Sequence, residues 1–187
     1  MGKHRCGWCT GDNLYEAYHD EEWGVPVYDD ATIFEFLILE TFQAGLSWIT
    51  ILRKRENFRA AFDDFNYNKI ATYNQNKIDE LLQDAGIIRN KLKIHATISN
   101  ARAFIEIQKK FGSFSKYIWS FVDGKPINNN SKTMADVPAT TAISEALSKD
   151  LKKQGFKFVG PTVVYAHMQA TGMVNDHIES CFRHRQV

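Results

Sequence analysis

Apolar residues recur along this chain at helical spacing, and strict alternation is nearly absent. Residues 31–43 (ATIFEFLILETFQ) are apolar almost all round, which predicts a helix buried on every side. Residues 47–62 open on Ser47, a good N-cap, and carry Ile51, Phe58 and Phe62 around a basic run. Ile78, Leu81, Leu82 and Ala85 place a helix over 76–85, and Ile94, Ile98, Ala101 and Ile105 form one stripe of a long helix over 91–111. A further helix is expected over 113–122, capped by Ser113. Residues 124–138, with Gly124, Pro126, Pro138 and three asparagines, read as a loop. Ile143, Leu147 and Leu151 predict a helix over 141–154 that stops at Gly155, and Pro161 opens a last helix that ends at Gly172. Phe156 to Val159 reads as a short extended piece. The expected fold class is all-α.

Composition narrows this picture. A chain of 187 residues, 44% hydrophobic, suits one domain over residues 1–187 with a sizeable core. Three cysteines do not make a disulfide framework and point to a reducing compartment. The N-terminus is polar, so no signal peptide is expected, and no apolar run approaches the roughly 20 residues that span a bilayer. A net charge of +1 does not announce a nucleic-acid binder, but a basic patch on one face is compatible with it.

Two short runs at opposite ends of the chain read as halves of one metal site. Cys6 and His19 lie near the start, and His177 and Cys181 near the end. The His-x3-Cys spacing suits one turn of helix. Two thiolates and two imidazoles are the ligand set of a closed tetrahedral zinc site, which would staple the termini together. The same residues also occur in cores without metal. Cys6-x2-Cys9 is itself a metal or redox spacing, while His4, His167 and His184 read as ordinary surface or core histidines.

The segment Leu82-x3-Gly86-Ile87-x3-Lys91 joins two helical patterns through a short turn and has the spacing of a helix-hairpin-helix. Gly86 would allow a tight turn near a phosphate, the next helix start offers free N–H groups, and Arg89, Lys91 and Lys93 add charge. An ordinary αα-hairpin has the same outline. A second basic run, Arg53-Lys54-Arg55 with Arg59, would lie on the same face or be a solvated helix surface. Trp8, Tyr15, Tyr18, Trp23 and Trp48 crowd the first 50 residues. Such rings usually fill cores, yet they also build stacking pockets for an extruded base. Glu40 shares a stripe with Ile33, Phe36 and Leu37, a costly place for a carboxylate unless it pairs with an arginine or meets a ligand.

Taken in order, Cys6-Gly-Trp8, Tyr15-x2-Tyr18-His19-Asp-x2-Trp23-Gly-Val-Pro26, Gln43-Ala-Gly-Leu-Ser-Trp48-Ile49, Asp84-Ala-Gly-Ile-Ile-Arg89, Gly155-Phe-Lys-Phe-Val-Gly160 and Val174-Asn-Asp-His177 resemble the 3-methyladenine DNA glycosylase I family along essentially the whole chain. The resemblance implies a bacterial, cytoplasmic base-excision repair enzyme of the helix-hairpin-helix superfamily, monomeric and without lyase activity. It would act on double-stranded DNA carrying alkylated bases and release 3-methyladenine. It implies a structural zinc on Cys6, His19, His177 and Cys181, with Cys9 outside the family pattern. It also implies a base pocket of Trp8, Tyr15, Tyr18, Trp23 and Trp48 with Glu40 on the purine edge as the catalytic carboxylate. Leu46, after Gly45, would be the intercalating wedge, and the hairpin at Gly86, Ile88, Arg89 and Lys91 the backbone clamp. The superfamily's Asp after the hairpin has no counterpart, since residues 90–110 contain only Glu106 as a carboxylate. Three other classes share parts of this chemistry: a zinc-stabilised binding module, a hydrolase using zinc-bound water, and a thiol redox protein built on Cys6 and Cys9.

Overall fold

A computed structural model describes residues 3–187, so the first two positions of the expected 1–187 domain lie outside it. The described chain is mostly helical. Helix α1 (Asn13–Glu21) is short and was masked in the sequence by its polar composition. Asp12 caps it by accepting from Leu14 N and Tyr15 N. Helix α2 (Asp30–Gln43) is the central element: every residue from Phe36 to Phe42 is buried, as its all-round apolar composition requires. Helices α3 (Trp48–Ala61), α4 (Tyr67–Ile70), α5 (Gln75–Gln83), α6 (Lys91–Phe111) and α7 (Phe114–Trp119) follow. Ser113 caps α7 as expected, but α7 is shorter than the 113–122 read from the sequence and runs on as a 3-10 turn. Helices α8 (Ala142–Lys153) and α9 (Pro161–Ala170) complete the set, with Pro161 at the first turn of α9.

Helix α2 packs against α3, α6, α7 and α9. The core between them is aromatic: Phe104 lies 5.0 Å from Phe34 and stacks 4.1 Å from Phe114, while Phe42 meets Phe58 at 4.8 Å. Asp30, at the start of α2, accepts from Phe114 N and Ser115 N and so also caps α7.

One local expectation fails. Residues 156–159 form no strand. Phe158 adopts a left-handed φ of 55°, and the segment is held by a reciprocal pair between Asn100 and the Lys157 backbone. Instead, a two-residue parallel pairing joins β1 (Ile127–Asn128) to β2 (Val174–Asn175), tying the 124–138 loop to the C-terminal segment. Gly172 stands at φ 68°, where an added Cβ would lie 2.4 Å from Pro26 N, so the end of α9 and the 24–27 segment come together only because this residue is glycine. Among the described residues, no helix is long and apolar enough to cross a membrane.

Candidate functional site

The two ends of the chain meet at Cys6, His19, His177 and Cys181, all buried, with their ligand atoms within 4.8 Å of one another. His19 comes from the last turn of α1. His177 and Cys181 do not share a helix turn. They follow β2 in irregular backbone, where Asn175 Oδ1 accepts from His177 N at 3.1 Å and Cys181 N donates to Ile178 O at 2.8 Å. The pair converges through these turns and not through helical periodicity.

The donor set fits zinc. Bonds near 2.3 Å to sulfur and 2.0–2.1 Å to nitrogen at tetrahedral angles put sulfur and nitrogen about 3.6 Å apart. Cys181 Sγ lies 3.5 Å from His19 Nε2 and 3.6 Å from His177 Nδ1, and Cys6 Sγ lies 3.8 Å from His177 Nδ1. The outward ring nitrogens are engaged as metal-binding histidines require: His19 Nδ1 meets Asp20 Oδ1 at 2.9 Å and His177 Nε2 meets the Trp23 carbonyl at 3.0 Å. Both tautomers therefore turn a lone pair inward. Asp20 is itself gripped by Arg5 through two bonds of 2.9 and 2.8 Å, which hold its carboxyl well below the usual range. Hydrogen bonding between the two sulfurs pushes the Cys6 thiol up and the Cys181 thiol down.

Cys9 is buried but stands apart from this group, its Sγ donating to the Cys6 carbonyl at 3.2 Å. Three other histidines bond backbone carbonyls, His4 to Ser180, His167 to Ile33 and His184 to His177, while His95 is exposed on α6. Burial pushes His167 down to about 4, so it sits neutral in the core.

Beside this cluster opens a cavity of about 210 Å³ lined by Trp8, Tyr15, Tyr18, Trp23, Glu40 and Trp48. The rings form a continuous wall: Trp8 lies 4.8 Å from Tyr15 and 5.0 Å from Trp23, and Tyr18 lies 5.4 Å from Trp48. Trp23 also packs edge-on against His177 at 4.6 Å, so the cysteine–histidine group braces the wall directly. Gln43, Met134, Ala166 and Gln169 complete the lining. Sequence reasoning passed over Met134, Ala166 and Gln169, which carry no distinctive chemistry and come from a polar loop and from α9.

Glu40 is 4% exposed, and its Oε2 has no hydrogen-bond partner among the described residues; neither does Trp48 Nε1. No arginine pairs with Glu40. Arg55, the buried arginine of the neighbouring helix α3, is engaged by Glu22 and Glu35, each at 2.6 Å. Burial alone raises the Glu40 carboxyl to about 8, so it is mostly protonated near neutral pH.

The turn after α2 places Gly45 at φ 85° and leaves Leu46 39% exposed near the cavity side contributed by Gln43. Residues 84–90 join α5 to α6. Gly86 does not use a left-handed conformation. A Cβ there would lie 2.9 Å from Asp84 Oδ1 and 3.2 Å from Asn57, and Gly86 N donates to Asp84 Oδ1 at 2.7 Å. Ile88 is half-buried, and Arg89 and Lys91 are exposed. Lys93 is not: it turns inward. The basic run on α3 also departs from expectation. Arg53 pairs with Asp12, Arg55 is buried, and Arg59 joins Glu35 and Glu56, while Lys54 reaches the carbonyls of Ala85 and Gly86 at 3.2 and 3.1 Å. Only Lys54 turns towards the hairpin, and it supports the turn.

Residues 8–184 match the family described as methyladenine glycosylase. DNA-3-methyladenine glycosylase 1 of Escherichia coli is 51% identical over 177 residues, 95% of each chain. A crystal structure of 3-methyladenine DNA glycosylase I superposes with a TM-score of 0.94 at 51% identity, covering 96% of this chain and 98% of that one. A tyrosine variant of 3-methyladenine DNA glycosylase I, crystallised in complex with 3-methyladenine, superposes at 0.93 with 38% identity, covering 95% and 96%.

Proposed function

This chain belongs to the methyladenine glycosylase family, and on that premise we propose that it is a monofunctional DNA glycosylase that excises 3-methyladenine from alkylated double-stranded DNA in base excision repair. The observation that carries the reading is a carboxyl group without a partner at the wall of a small aromatic cavity.

An adenine alkylated at N3 is cationic in DNA and leaves as a neutral base, so the glycosidic bond is already weak and little acid catalysis is needed. The work left to the protein is extrusion, enclosure and alignment. Leu46 enters the stack as the base swings out, against an unstacking cost of a few kcal/mol. The rings of Trp8, Tyr15, Tyr18, Trp23 and Trp48 enclose the base, and their faces favour a cation by about 1–2 kcal/mol when water is excluded. The arriving positive charge lowers the pKa of Glu40, its proton is released to solvent, and the carboxylate then accepts from the exocyclic amine of the purine. Uniform tightening on the cation would not speed the chemistry, so we assign the rate effect of Glu40 to holding the base in line for attack by water on the sugar. The cavity wall carries no lysine and, among the described residues, no second carboxylate. A lyase route requires an amine nucleophile.

Residues 84–91 serve, on this reading, as a helix-hairpin-helix clamp on backbone phosphates, through the turn at Gly86 and Ile88 and the charges of Arg89 and Lys91. Cys6, His19, His177 and Cys181 would hold a zinc ion. With four protein ligands its contribution is structural: it fastens the two termini and braces Trp23. The molecule acts as one domain over residues 1–187 and as a monomer facing one lesion, and the bacterial relatives support a bacterial cytoplasmic enzyme.

The test is incubation with DNA treated with a methylating agent, followed by identification of the released bases. Release of 3-methyladenine with 7-methylguanine left in the DNA is expected. Binding to the same DNA with no base released would overturn the reading in favour of a non-cleaving module.

A further inference from the structure

A buried amine links the turn that carries Leu46 to the hairpin. Lys93 is the third residue of α6, and its backbone N–H is accepted by the Asn90 cap at 3.1 Å. Its side chain crosses to the end of α2, where Nζ donates to the carbonyls of Phe42 and Ala44, each at 2.8 Å. Lys93 is only 6% exposed and has no carboxylate partner among the described residues. Burying an ammonium without a counter-ion is costly, and an apolar side chain would fill the space without that cost.

The place it occupies gives the charge a role. Helix α2 ends in a tight turn in which Ala44 has φ −48° and ψ 115° and Gly45 has φ 85°. Its last carbonyls would be orphaned at the negative end of the helix dipole, and the ammonium satisfies two of them. The turn itself is otherwise held lightly, by Leu46 N on the Gln43 carbonyl and by Gln43 Nε2 on the Leu46 carbonyl at 3.2 Å.

We infer that Lys93 is a positioning residue for base extrusion, fastening the 43–47 turn to the second helix of the hairpin so that Leu46 meets the stack in register with the phosphates held at residues 86–91. The inference rests on the reading of Leu46 as the wedge. A side chain that separates stacked bases is pushed back by the stack. If the turn were free to recoil, the hairpin would grip the DNA while the wedge gave way. With Lys93 in place the two devices move as one body.

Lys93→Met tests this by three readouts: affinity for free 3-methyladenine, affinity for undamaged duplex, and single-turnover excision from an alkylated duplex at saturating protein. The expected result is a free-base and duplex affinity within about twofold of wild type and a single-turnover rate lower by about tenfold, the equivalent of one lost charge-assisted hydrogen bond. Lys93→Arg, which keeps the charge and the donors, should recover most of the rate. If Lys93→Met does not fold, Lys93→Gln, neutral and too short to span both carbonyls, should show the same split. An unchanged rate, or a fall in rate matched by an equal fall in free-base affinity, would overturn the inference. Leu46→Ala separates the two readings. If it slows single-turnover excision while Lys93→Met does not, the wedge stands and the role of Lys93 is lost. If Leu46→Ala is itself without effect, the wedge reading fails and takes the inference with it.

Discussion

The cysteine–histidine group and the aromatic cavity share a wall, yet their polar atoms are treated in opposite ways. At the group, each histidine has its outer nitrogen bonded and its inner nitrogen turned towards two sulfurs. In the cavity, Glu40 Oε2 and Trp48 Nε1 are buried and bonded to nothing among the described residues. Buried polar atoms are nearly always paired, because leaving one unpaired costs about 1–3 kcal/mol. On the proposed reading, a saturated cluster is complete once an ion is bound and serves the fold. An unsaturated one is complete only when a ligand supplies the missing partners.

The largest effect that would break this contrast lies at the saturated side. Cys181→Ala removes one of the four proposed ligands and should lose metal binding together with stability on the order of several kcal/mol, since binding energy at such a site is folding energy. Metal analysis and thermal melting check this. Full metal content with unchanged melting would remove Cys181 from the ligand set.

The cavity predicts a pH dependence of the opposite character. Glu40 titrates at about 8 in the folded chain against 4.5 for the unperturbed group. A carboxyl raised in this way contributes its full stability below about pH 4.5 and loses it as the pH climbs through 8, where a charge must be buried unpaired. Wild-type stability should therefore fall across that window by an amount on the order of a few kcal/mol. Denaturant titrations at stepped pH should show the slope in wild type and a flatter profile in Glu40→Gln.

The smallest effect sharpens the comparison. Trp48→Phe keeps a ring in the wall and removes the unpartnered N–H. Stability should stay within about 1 kcal/mol of wild type, because no hydrogen bond is lost, while excision slows a few-fold. A drop in melting temperature without a change in excision would mean that Trp48 serves only the core.

Much of this contrast was legible in the residues. The all-round apolar run predicted α2 and its burial, the Ile94 stripe predicted α6, and Pro161 and Gly172 bracketed α9. Residue types alone brought Cys6, His19, His177 and Cys181 together as candidates. What escaped was information carried by tertiary contact. Helix α1 is short and polar, so its periodicity is weak. His177 and Cys181 share the spacing of a helix turn but converge through side-chain-stabilised turns after β2. Lys93 has the composition of a phosphate contact and instead caps α2, and the arginines of α3 are absorbed by Asp12, Glu22, Glu35 and Glu56. Charge in a sequence shows where cations are, and only packing shows which remain free.

The most direct test sets the stability and excision rate of Glu40→Gln beside those of wild type at pH 8. If the cavity is built for a ligand at the expense of the fold, the variant should melt at the same or a higher temperature, because no charge is buried, and should release 3-methyladenine at least about tenfold more slowly. A variant that melts lower and excises at the wild-type rate would show that Glu40 serves the fold and not the base.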